Sequence, residues 1–194
     1  MDDMKEKIVT GLALLPLVFS VDARIETSKL KQQAEIKITT YNHQLRATLK
    51  DHIALGGLKR NLDACNAVGK NMAVQSSTGG WSLTRTSLKV RNPNNTPDNW
   101  EKSQLETFAT SFENGKAIRD LKVERLTSIG ANRVLYKYMK GIQAEAVCLN
   151  CHGTDLTDDV KNHLTKQFPN DLAVGYKVGD LMGAFTLEKI VNTK

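Results

Sequence analysis

Residues 118–139 read IRDLKVERLTSIGANRVLYKYM. Two runs within it, Ile118 to Thr127 and Arg133 to Met139, are rich in branched and aromatic side chains, and Ser128 to Asn132 between them carries turn formers. The pattern predicts a β-hairpin, which makes its two strands antiparallel. Working outward, Trp81 to Val90 reads as a further strand, and Leu172 to Ile190 reads as two more around Val178-Gly179-Asp180. About five strands joined by hairpins or short helices give a largely antiparallel sheet and an α+β fold.

The flanking segments have helical spacing. Leu30, Ala34, Ile38, Tyr41, Leu45, Leu49 and His52 recur every three or four residues from Ser28 to about Leu55, predicting one long amphipathic helix. Gly56-Gly57 is expected to break it, and Leu58, Leu62, Cys65, Gly69 and Met72 then form a second stripe that would turn Cys65 inward. Asp98 and Glu101 have capping-box spacing behind Pro97, and Trp100, Gln104, Phe108 and Phe112 share one face of the helix that follows. Gln143 to Leu149 and Leu156 to Gln167 are further helical candidates, separated from the tail by the turn Phe168-Pro169-Asn170-Asp171.

At 194 residues, 40% of them hydrophobic, the chain has the size and composition of one globular domain, and three cysteines are too few for a disulfide-stapled scaffold. Lys5 and Lys7 precede the apolar run Ile8 to Phe19, which ends at Val21-Asp22-Ala23. This is the pattern of a cleavable secretory leader over residues 1–23, too short and too interrupted by Pro16 for a membrane span. The expectation is a single domain over residues 24–194, exported to the periplasm as a soluble protein. Net charge is +6, and loss of the leader would remove Lys5, Lys7 and the four acids Asp2, Asp3, Glu6 and Asp22, leaving a more basic chain. An exported basic protein points to an acidic protein partner or an anionic cofactor rather than to nucleic acid.

Cys148-Leu149-Asn150-Cys151-His152 carries the chemistry. Cys-x-x-Cys-His is the attachment signature of c-type haem: two thiols one helical turn apart reach the two vinyl groups, and the next residue can ligate the iron. A redox dithiol usually sits early in a βαβ unit, whereas this motif follows a hairpin. A zinc site with Cys65, or a plain disulfide, are the other readings; adjacent Cys151 and His152 suit one tetrahedral ion poorly. One covalent haem c with His152 as ligand is the expectation. For the opposite axial position the residues alone offer Cys65, Met72, Met139, Met182, His43, His52 and His163, with Cys65 equally readable as a small buried hydrophobe.

The order of motifs resembles that of the PAS-like c-type haem domain family of exported bacterial proteins. The matching stretches are Asp63-Ala64-Cys65, the segment Ser87 to Glu101 around Arg91-Asn92-Pro93-Asn94-Asn95-Thr96-Pro97, Cys148 to Gly153, and Phe168 to Gly175 with Gly179 and Gly183. The resemblance implies a PAS-like antiparallel sheet, one covalent haem on Cys148 and Cys151, His152 as proximal ligand and Cys65 as the distal one. Arg85, Lys89 and Arg91 are candidates to pair with haem propionates or are solvated strand residues. The resemblance favours a redox or small-ligand sensor that signals through a protein partner; the alternative is a small electron-transfer cytochrome docking an acidic partner. No nucleophile and base pair, carboxylate pair or phosphate loop suggests an enzyme, and the long first helix could form a homodimer seam.

Overall fold

The computed structural model describes the backbone of residues 20–192, with side chains for 27–55 and 72–192. Most of the expected leader, residues 1–19, lies outside the described residues, as does the side chain of Cys65. Among the described residues no helix is long and apolar enough to cross a membrane.

Helix α1 is Ser20–Ser76, followed by β1 (Trp81–Thr86), α2 (Asn99–Glu113), β2 (Lys122–Gly130), β3 (Arg133–Gln143), α3 (Leu149–His152), α4 (Asp158–Gln167) and β4 (Leu181–Asn192). The expected break at Gly56-Gly57 does not appear as a gap in helical backbone. Yet Lys37 Nζ donates to the Ser76 carbonyl at 3.1 Å, although 39 residues of straight helix would separate the two by about 58 Å. The helical run therefore folds back on itself, and Leu30, Leu45, Met72 and Ala73 pack on the same cluster.

The fold is α+β, as its sequence pattern predicts, but the described sheet has four strands rather than about five, in the order β1-β4-β3-β2 and antiparallel throughout. The predicted hairpin is β2 and β3, with a bulge between Ser128 and Gly130. The correction falls in the tail. Leu172 to Asp180 forms no strand of the sheet, because its backbone pairs elsewhere: the Gly175 and Tyr176 amides donate to the Gly153 and His152 carbonyls, and the Gly179 amide to Ala144. Similarly, β1 ends at Thr86 instead of Val90, where the Ser87 hydroxyl turns to the Met182 carbonyl at 2.7 Å. At this point the strands come very close: a Cβ on Gly183, whose φ is +153°, would lie 2.3 Å from the Thr86 carbonyl oxygen.

Alternation along the strands covers both sheet faces. On one, Ala34, Ile38 and Tyr41 of α1 meet Trp81, Leu83, Tyr136, Tyr138, Phe185 and Leu187, with edge-on ring pairs Tyr41–Phe185 and Trp81–Tyr136. On the other, Leu105 and Phe108 of α2 cover Leu121, Met139 and Ala184. The capping box at Asp98 and Glu101 is present, and it also fixes α2 to the sheet, because Lys137 of β3 donates to Asp98 at 2.7 Å and is paired with Glu188.

Where α1 crosses the sheet, Glu35 accepts from Tyr138 and Lys140 and faces Lys122 at 3.6 Å. Burial works to raise its carboxyl, but the hydrogen bonds from Lys140 and Tyr138 and the charges of Lys140 and Lys122 hold it below the usual 4.5. A carboxyl depressed by folding stabilises the protein above its unfolded pKa, and that contribution is lost as pH falls through the folded value. Glu35→Gln is accordingly expected to lower the urea midpoint at pH 7, with the difference from the wild type shrinking as pH drops below 4.5.

Candidate functional site

The chain leaves β3 through Ala144 and enters a tight turn, Ala146–Cys148, that passes directly into α3. Cys148 and Cys151 are thus one helical turn apart and share a face. No disulfide joins the two. Burial raises the Cys148 thiol above its ordinary range. Cys151 packs beside Val160 and Leu164 of α4, which fastens the motif to that helix.

Both cysteines and His152 line one cavity, which opens to solvent at its mouth. Leu45, Leu49 and Ile53 of α1 form an apolar wall, and Val147, Leu164 and Phe168 extend it. Arg46 of α1 pairs with Glu145 just ahead of the motif, tying the wall to the floor.

His152 is oriented by a backbone bond. Its Nδ1 lies 2.7 Å from the Ala173 carbonyl oxygen. A carbonyl only accepts, so Nδ1 carries the proton and Nε2 keeps its lone pair, the tautomer a metal ligand needs. Burial, then the charge of Arg91, depresses its pKa to about 4, so the imidazole is neutral at physiological pH. The Tyr176 ring meets it edge-on, with centroids 6.4 Å apart.

Arg91 organises this corner. Its Nη2 donates to the Cys151 carbonyl at 2.6 Å and to the Ala173 carbonyl at 3.1 Å, and its Nε to Asp171 at 2.9 Å. The other Asp171 oxygen accepts from the Ala173 amide at 2.8 Å. One guanidinium thereby joins the motif helix to the loop that holds the histidine.

Of the axial candidates read from the sequence, Met182 lines the cavity. Met139 is buried under α2 on the other face of the sheet, and Met72 packs against the α1 cluster. His43, His52 and His163 are not among the cavity-lining residues. Cys65 belongs to α1, but its side chain lies outside the described residues. Among the described residues no three His, Cys, Asp or Glu side chains come together as a metal cluster.

A family model described as Tll0287-like matches residues 21–188. The chain belongs to the Tll0287-like family. Its fold is also similar to the crystal structure of the cyanobacterial haem protein Tll0287, with 25% identity and a TM-score of 0.54, over 78% of this chain and 91% of that one. No curated protein matches the chain. The family assignment agrees with the resemblance carried by the Asn-Pro segment, the Cys-x-x-Cys-His motif and the terminal glycines.

Sequence reading alone missed the part played by Ala173, since it is a main-chain carbonyl. The available signal was Asp171, the one acid in the Phe168 to Gly175 stretch. It also left Arg91 free for a ligand, whereas the structure commits it to Asp171 and two carbonyls. The Arg91 and Asp171 side chains are only 13% and 10% exposed. Replacing Arg91 with Gln strands a buried carboxylate, and the expected loss is about 3 kcal/mol in urea unfolding. Asp171→Asn combined with Arg91→Gln should cost less than the sum of the two single changes.

Proposed function

We propose that this protein is a haem protein: Cys148 and Cys151 attach one haem covalently, His152 is the proximal ligand, Cys65 of α1 is the opposite ligand, and the protein serves outside the cytoplasm as a redox or small-ligand sensor. The observation that carries this reading is the cavity whose floor holds two cysteines one turn apart, not joined to each other, beside an imidazole locked with Nε2 unprotonated. The donor set suits the group. Two accessible thiols on one helical face match the two vinyl positions, the histidine is already in its ligating tautomer, and the α1 wall is apolar. Family membership adds support, because the related cyanobacterial protein is a haem protein.

When bound, the haem would supply an iron centre that takes up one electron or a small axial ligand. The chain's own residues do the rest. Ala173 holds His152 and is itself held by Arg91, while Leu45, Leu49 and Ile53 of α1 wall the cavity. A thiolate from Cys65 would favour the oxidised iron, and its weakening on reduction or protonation is the two-state element a sensor requires. A basic chain favours an acidic protein as the partner that receives the signal.

Met182 favours a second reading, because it lines the same cavity. A methionine ligand would raise the potential and suit an electron carrier. The test is periplasmic maturation of the wild type, Cys65→Ser and Met182→Leu, with the haem assayed after acidic acetone extraction and as its pyridine complex. Retained c-type haem, lost in Cys148→Ser with Cys151→Ser, supports covalent attachment. A low-spin thiolate signature in paramagnetic resonance that vanishes in Cys65→Ser and survives Met182→Leu supports the sensor. The converse supports the carrier, and a protein with no haem refutes both.

A further inference from the structure

Four basic side chains line the cavity among the described residues: Arg46, Arg85, Lys89 and Arg91. Three are engaged by the protein itself. Arg46 is paired with Glu145, and Arg91 with Asp171 and two carbonyls. Lys89 reaches the Val174 carbonyl at 3.4 Å and lies 4.8 Å from the centre of the Tyr176 ring. The Arg85 guanidinium has no hydrogen bond or ion pair with any described residue.

Its position makes this notable. Strand alternation places Arg85 on the same face of β1 as the buried Trp81 and Leu83, and it sits in register with Phe185, itself part of the cavity wall. Arg85 is half-buried, and its charge is felt at both Tyr41 and His152. A guanidinium withdrawn from water into an apolar cavity is costly unless an anion meets it, and its planar fork of donors matches a carboxylate.

We propose that Arg85 is the carboxylate-binding residue of the cavity and that the carboxylate it takes is a propionate of the haem. This assignment rests on the haem reading above and selects one of the three basic residues that the sequence leaves equivalent. The other two are already held by the protein, Arg91 as the brace of the motif and Lys89 on Tyr176.

The test uses the full chain produced without haem maturation, titrated with haemin and with haemin dimethyl ester, in which both carboxylates are masked. The wild type should bind haemin roughly tenfold more tightly than the ester, the preference expected from one charge-assisted hydrogen-bonded pair. Arg85→Gln should bind the two alike, and Arg85→Lys should recover part of the preference. A preference of the same size in wild type and Arg85→Gln overturns the proposal, as does a wild type that does not discriminate. Sodium acetate is the second probe. If acetate raises the melting temperature of the wild type but not of Arg85→Gln, while the ester preference is the same in both, Arg85 takes free carboxylates and the propionate assignment is wrong. A wild-type chain that binds neither porphyrin refutes the haem reading itself, and the propionate assignment with it, which separates the two failures.

Discussion

One carbonyl oxygen, that of Ala173, accepts from two donors: Nδ1 of His152 and Nη2 of Arg91. The arrangement constrains much of the site. The histidine bond fixes the imidazole tautomer and ring direction, while the arginine reaches past it to Cys151 and Asp171. Because Asp171 in turn accepts from the Ala173 amide, the loop is held at both its carbonyl and its N–H. A site on a loop is ordinarily the least rigid kind. Here the loop has been made stiff by closing a ring of hydrogen bonds through a guanidinium with little solvent contact.

The same economy explains why Leu172 to Asp180 is not a strand. The amides of Gly175, Tyr176 and Gly179 find acceptors at the end of α3 and just after β3 rather than along a sheet edge. The segment reads as a strand from composition because valine and leucine are frequent in it. What decides its conformation is a set of partners far away in sequence, which no local pattern can display.

Other features were local and therefore readable. The β2–β3 hairpin follows from branched and aromatic runs about a turn, and the start of α2 from Asp98 and Glu101. The motif Cys148 to His152 is legible because its spacing is chemistry rather than fold. The reversal within α1 was foreseeable from Gly56-Gly57, yet the backbone there remains helical and the reversal shows in the meeting of Lys37 with Ser76 and in the shared packing of Leu30, Leu45, Met72 and Ala73. Arg85, Lys89 and Arg91 could not be ranked from sequence, since a charged residue's role depends on which partners have already claimed it. Asp171 claims Arg91, Tyr176 and Val174 claim Lys89, and this leaves Arg85 to the cavity.

The strand order β1-β4-β3-β2 has a bearing on how the molecule is made. The β2–β3 hairpin can form from its own sequence, but β1 has no neighbour until β4 arrives, about a hundred residues later in the chain. Before that, Trp81 and Leu83 have no partner strand, Phe185 is missing from the cavity wall, and α1 has only part of a surface to lie on. Pairing over such separations is slow. Until the last strand arrives, the wall of the cavity that Cys148 and Cys151 line is incomplete, because Met182 and Phe185 both belong to β4.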